Sequence, residues 1–235
     1  MLPLHTVRVT RQSMGMATIA LLTACTAEPR VPSRPLDSAA ETDVVKQIPG
    51  PAATPARSPD AFRVAVETSK GTFTIAVQRA LAPRGADRFF ELVTAGYFTD
   101  VRFFRVVPGF VVQFGMHGDP AVNALWERAT LLDEPRRMSN TRGTVAFAAA
   151  GPNTRTMQLF VNTADNGRKL DGQRLFAPIG SVMDGMDVVD KLNNEYGEEP
   201  NPPRIASKGN VYLQRWFPAL DYIKSATIIP LAPKP

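Results

Sequence analysis

The sequence predicts an all-β domain: about eight short strands rolled into a barrel, with two α-helices plugging its ends. Three observations lead there. Apolar residues alternate with polar or small ones in short runs, each followed by Gly, Pro or Asn. Only two segments break that period in favour of helical spacing. All 13 Phe, two Trp and four Tyr fall between Phe62 and Tyr222, so one domain over residues 61–230 holds the material for a core.

The first run is Phe62, Val64 and Val66, and the second is Phe73, Ile75 and Val77. Ser69-Lys70-Gly71 between them supplies turn chemistry, which makes the pair a hairpin. Further strands are expected at Val101–Val107, Phe110–Phe114, Gly143–Ala148, Gln158–Asn162, Ala177–Val182 and Ala226–Ile229. One helix is expected over Arg84–Ala95, where Ala86, Phe89, Phe90 and Val93 form an apolar face and Gly96 closes it. The other covers Asp184–Tyr196, with Asp184 as N-cap, a Met186/Val189/Leu192 stripe and Gly197 beyond its end. Gly197–Asn210, rich in Pro and charge, reads as a surface loop. Trp126 reads as loop packing and Arg136-Arg137 as a solvated basic patch.

Residues 1–60 follow other rules. Arg8 and Arg11 precede the apolar stretch Met14–Leu22, too short to span a bilayer but suited to a secretory leader. Leu22-Thr23-Ala24-Cys25 resembles the bacterial lipobox, in which the bond before Cys is cleaved and the thiol lipidated. Residues 1–24 are therefore expected to be a lipoprotein signal peptide. Pro29, Pro32, Pro35, Pro49, Pro51, Pro55 and Pro59 crowd a stretch without aromatics, which reads as a disordered tether over residues 25–60. Residues 231–235 form a tail. The protein is expected to be exported and held at the membrane by Cys25, facing the periplasm or the cell surface.

Composition excludes several classes. A single Cys forbids an intramolecular disulfide, and with two His it leaves no Cys/His cluster for zinc. The net charge of +5 is spread along the chain, which argues against a nucleic-acid partner. The one His of the domain, His117, sits in the Gly-rich loop Gly115–Gly118 with no nucleophile at a telling distance, and is expected to be solvated. No metal or cofactor is expected, so an enzyme built from this chain must work without a nucleophile, a metal or a titrating base.

Two segments carry the remaining signal. In Phe103–Gly115, Arg105 interrupts a run otherwise built for burial, and a charge there needs a partner or a ligand. In Phe147–Asn162, small residues lead into a Gly151-Pro152-Asn153 turn, and Gln158 follows two residues before Phe160. Phe103–Gly115 resembles the F-x-R-x-[IV]-P-G-F-x-x-Q-x-G signature of the cyclophilin peptidyl-prolyl cis-trans isomerases. Ala148–Phe160 resembles that family's A-x-A-G-P-N-T-x-x-x-Q-x-F block. Leu170-Asp171-Gly172 with Phe176–Gly180 resembles its later L-D-G…F-x-x-x-G block.

The resemblance spans residues 62–230 and implies a closed eight-stranded antiparallel barrel capped by two helices. It implies a cofactor-free, monomeric isomerase acting on proline-containing polypeptides, with Arg105, Phe110 and Gln113 as catalytic residues. Val111, Ala148, Ala149, Gln158, Phe160, Leu170 and Phe176 would bind the substrate. The chain departs from the eukaryotic pattern at Val111, Ala149 and Leu159, where Met, Asn and Phe are usual. Lys169 stands where the family's cyclosporin-binding Trp is found, which argues against tight cyclosporin binding. The departures at Ala149 and Lys169, with a longer loop at Gln173–Phe176, leave a second expectation open, a catalytically weak chaperone or a module that grips proline segments.

Overall fold

The computed structural model describes residues 48–53, 56–173 and 175–229. The leader, Cys25, the first part of the tether and the 231–235 tail lie outside the described residues.

Among the described residues nine antiparallel strands form one sheet: β1 Ala61–Thr68, β2 Gly71–Gln78, β3 Val101–Arg102, β4 Arg105–Val106, β5 Val111–Phe114, β6 Thr144–Phe147, β7 Leu159–Asn162, β8 Pro178–Asp184 and β9 Tyr222–Ile229. Their order is β3-β9-β1-β2-β8-β6-β7-β5-β4. The hairpin is in place, with Phe62 opposite Val77 and Thr68 opposite Gly71.

The closed eight-stranded barrel is corrected to a nine-stranded curled half-barrel, because no ladder among the described residues joins the β3 and β4 edges. Both edges come from the run expected to be a single strand. Phe103 and Phe104 interrupt it: the Phe103 N–H donates to the Asp221 carbonyl at 3.0 Å, and the two rings enter different apolar clusters.

The core lies inside the curl. Alternate residues of each strand point into it, among them Val64, Val66, Phe73, Ile75, Val112, Phe114, Val145, Phe147, Leu159 and Val161. Helix α1, Pro83–Thr94, packs Ala86, Phe89, Leu92 and Val93 against them. No side chain caps α1 locally. Its Arg84 and Gly85 N–H groups instead donate to the Glu134 carboxylate at 2.9 and 3.0 Å, and Glu134 pairs with buried Arg155 at 2.9 Å.

Helices α2 Pro120–Glu127, α3 Gly167–Leu170, α4 Met186–Asp190 and α5 Pro202–Trp216 complete the fold, so the two-helix expectation is also corrected. Asp184 does not cap α4; it ends β8, and Gly185 at φ +81° opens the helix instead. The expected loop over 197–210 contains the first half of α5. Its prolines sit in the first turn, where no N–H is needed, and Asn201 caps it by accepting from the Arg204 N–H. Gly209, at φ +55°, kinks α5 where a Cβ would strike the Gly118 carbonyl. Beyond the kink, Tyr212, Leu213 and Phe217 join Ile205, Phe104 and Met116 in a second apolar cluster.

Two further expectations change. Trp126 is fully buried in α2. His117 is buried, its Nδ1 accepting from the Asp119 N–H at 2.9 Å, and burial lowers its pKa against the opposing pull of Asp119. Arg136 and Arg137 are both exposed, as a solvated patch would be, but Arg136 also pairs with Asp171 at 3.3 Å.

The described end of the tether docks on the domain. Trp126 Nε1 donates to the Pro49 carbonyl at 3.2 Å, the Ala52 N–H to Glu91 at 2.7 Å and the Ser58 N–H to Asp87 at 2.9 Å. A segment too poor in apolar groups to fold alone borrows the surface of Trp126 and Phe90, and its prolines lower the entropy lost on ordering.

Candidate active site

The sheet has apolar residues on both faces where β5, β7 and β6 meet. The inner set belongs to the core. The outer set, Val111, Ala146, Phe160 and Leu170, forms a separate cluster with Phe110, Ala148 and Phe176 packed against it. The period of two thus turns Leu159 and Val161 inward and Phe160 outward.

Strand register builds a row across this outer face. Arg105 lies opposite Gln113, Gln113 opposite Phe160, and Phe160 opposite Ala146. Arg105 Nη1 donates to Gln113 Oε1 at 3.2 Å, and Gln113 Nε2 donates to Gln158 Oε1 at 2.9 Å. Arginine has no acceptor, so it orients the Gln113 amide, which in turn orients Gln158. The Gln158 amide nitrogen is left pointing its N–H groups elsewhere. Gly115, at φ +107°, ends β5 where a Cβ would strike the Met157 carbonyl beside Gln158.

Phe110 is half-buried, with the Arg105 guanidinium 5.4 Å and the Lys169 ammonium 5.1 Å from its ring centre. Phe176 meets Phe160 edge-on at 5.7 Å. Gln113, Ala148, Ala149 and Gln158 line an open cleft of about 470 Å³, with Glu127 and Pro202 on its other wall. All ten residues expected to form the site therefore lie in this cluster, the row or the cleft.

A larger depression of about 820 Å³ lies at Asp133, Arg136, Asp171 and Leu175. Asp171 there is already engaged by Ser139, Asn140 and Arg136, and none of the ten residues lines it.

Sequence reasoning missed three contributors. Ala146 floors the cluster, Pro202 brings α5 to the cleft, and Glu198 accepts from Arg105 Nε at 2.6 Å while pairing with its Nη2. Strand alternation across Thr144–Phe147 is the signal that could have found Ala146, but nothing local linked Glu198 or Pro202 to a strand some 90 residues earlier.

The arrangement offers a cation held by Gln113 and Glu198, with N–H groups to spare, beside an apolar cluster. Residues 63–210 match the family model described as cyclophilin type peptidyl-prolyl cis-trans isomerase/CLD. The chain is 32% identical over 142 residues to peptidyl-prolyl cis-trans isomerase A of Dickeya dadantii, covering 59% of this chain and 75% of that one. It is 33% identical over 153 residues to a peptidyl-prolyl cis-trans isomerase of Acinetobacter baylyi, covering 60% and 79%. A crystal structure of a Cryptosporidium parvum cyclophilin type isomerase superposes with a TM-score of 0.55 at 18% identity, over 73% of this chain and 99% of that one. That last likeness speaks for the fold alone. The family match covers most of the chain and the relatives carry the activity in their names: this chain belongs to the cyclophilin-type peptidyl-prolyl cis-trans isomerase family and is an enzyme of that class.

Proposed function

We propose that the enzyme isomerises X-Pro bonds of exported polypeptides as a monomer tethered at Cys25, with Arg105 as the catalytic donor. The observation that carries the reading is the hydrogen-bonded chain Arg105–Gln113–Gln158 running along an apolar slot.

Rotation about an X-Pro bond must break amide resonance, a barrier of about 18–20 kcal/mol. At the twisted geometry the nitrogen becomes pyramidal and regains its lone pair. A donor held at that nitrogen stabilises the twisted state more than either planar one, which is the condition for catalysis. Arg105 is permanently charged and carries N–H groups beyond those engaged by Gln113 and Glu198. Phe110, Val111, Phe160, Leu170 and Phe176 hold the proline ring, while the oriented Gln158 amide donates to the substrate backbone. Ala148 and Ala149 leave room for the chain beside the slot.

An NMR exchange assay on an X-Pro peptide tests the catalytic part: Arg105→Ala should lose most of the rate, and an undiminished rate overturns it. The location rests on the basic n-region, the apolar stretch and the lipobox ending at Cys25. Cys25→Ser should release the protein from the membrane fraction or leave its leader uncleaved; unchanged fractionation and processing overturn the anchor.

A further inference from the structure

We infer that Glu198 is a positioning residue for Arg105, and that the segment from Tyr196 to Ala219 serves the reaction by holding it there. The inference rests on the assignment of Arg105 above and adds the group that holds it.

A lone arginine on a two-residue edge strand has four side-chain torsions and only one partner on its own sheet, Gln113. Gln113 engages Nη1 and leaves the plane of the guanidinium free to swing. Glu198 Oε1 takes the opposite side of the fork, accepting from Nε and pairing with Nη2. The two contacts together set the guanidinium plane and leave an N–H on each of Nη1 and Nη2 for a bound chain.

The backbone that carries Glu198 is tied to the strand that carries Arg105. The Val106 N–H donates to the Gly197 carbonyl at 3.1 Å, and Gly197 turns at φ +50°. Just before it, the Tyr196 ring meets Phe217 edge-on at 5.2 Å, and its hydroxyl accepts from the Ala219 N–H at 3.3 Å. On the other side of Arg105, Phe104 is sunk among Ile205, Tyr212, Leu213 and Phe217. Both neighbours of Arg105 are thus bound to the same segment. Phe103 and Phe104 leave the sheet open at this point, and α5 supplies the support that a continuous strand would otherwise give.

An alternative is an ordinary surface ion pair. The Glu198 side chain is 61% exposed and that of Arg105 30%, and pairs this open contribute little to stability. The two readings therefore differ in the kinetics and not in the melt.

The experiment measures kcat and KM separately by NMR exchange on an X-Pro peptide for Glu198→Ala, Glu198→Gln, Arg105→Ala and the Arg105→Ala/Glu198→Ala double variant. Glu198→Ala should lower kcat about tenfold with KM within about twofold and an unchanged melting temperature. Glu198→Gln, which keeps an acceptor oxygen, should recover to within about threefold of the parent. The double variant should be no slower than Arg105→Ala alone, since Glu198 acts only through Arg105. An unchanged kcat in Glu198→Ala, a Gln variant as slow as Ala, or a full second loss in the double variant overturns the inference. A normal loss in Arg105→Ala beside an unchanged Glu198→Ala removes only the role of Glu198. Arg105→Ala at the parental rate removes the assignment of Arg105, and this inference with it.

Discussion

Arg105 on β4 and Gln113 on β5 face each other directly across the antiparallel ladder, joined by the Nη1–Oε1 hydrogen bond of 3.2 Å. Their pairing puts Arg105 in line with Gln113 and Phe160 across the ladder, beside the apolar cluster. It also fixes the polarity of everything downstream. An arginine can only donate, so Gln113 must accept at Oε1 and donate at Nε2, and Gln158 must accept from it.

Charge without planarity should not suffice. Arg105→Lys keeps the cation but cannot span Gln113 and Glu198 at once. Its kcat/KM is expected to fall about 100-fold, as for the loss of a transition-state donor. NMR exchange measures it, and a lysine variant near the parental rate contradicts the forked geometry.

Gln158→Glu tests the polarity of the chain. The carboxylate still accepts from Gln113 Nε2, so the fold should stand, but it offers the substrate no donor and places a negative charge in the cleft. The expected outcome is an intact circular-dichroism spectrum and melt with at least about a tenfold loss of kcat/KM.

Phe176 is half-buried and contributes to the slot from a loop, so truncating it should spare the fold. Phe176→Ala removes the edge-on partner of Phe160 at 5.7 Å, and with it one wall against the proline ring. KM should rise several-fold with kcat less affected. A fall in kcat at constant KM would instead place Phe176 among groups that act only in the twisted state.

Glu134 is a structural charge. It closes the α1 N-terminus and pairs with Arg155, both side chains being almost fully buried. Glu134→Ala leaves two helix N–H groups without their acceptor and Arg155 with only Asp133 at 3.8 Å and the Leu132 carbonyl, and is expected to cost about 3 kcal/mol. Urea denaturation reads this directly, and a loss below about 1 kcal/mol would mean that water replaces the carboxylate.

Acid should loosen the docked tether. Burial pushes the Asp87 carboxyl up, but the hydrogen bonds from Arg79 and Ser58 and the Arg79 charge outweigh it and hold the pKa below its ordinary value. A depressed carboxylate contributes stability that is complete above its unfolded pKa and is lost as pH falls through the folded one. Stability should therefore decline on acidification below the ordinary carboxylate range. Asp87→Asn should flatten part of that decline and raise proteolytic cleavage near residues 56–60 at neutral pH. An unaltered pH profile in the variant would show that Asp87 holds nothing in place.

Much of this was legible in the chain. The hairpin, the positions of most strands and α1 followed from apolar alternation and turn residues, which are local properties. The ten expected site residues came through the family resemblance, since the motifs that carry them are short contiguous stretches of sequence, although only Arg105, Val111, Gln113 and Phe160 stand on strands. Other features were not legible. Phe103-Phe104 reads as strand by period, yet the two rings serve different clusters and split it. Pro200, Pro202, Pro203 and Gly209 read as loop, yet three prolines stand at or before a helix start and the glycine accommodates a close backbone approach.

By itself the sequence determined the sheet-rich character and which residue types stand on the outer face of the sheet, because periodicity and residue type act over a few positions. Tertiary structure alone decided that the sheet stays open between β3 and β4, that residues near Pro49 and Ser58 lie on the domain, and that Glu198 grips Arg105. Each of these depends on groups far apart in the chain meeting in space, and no local pattern encodes which distant surface a side chain will find.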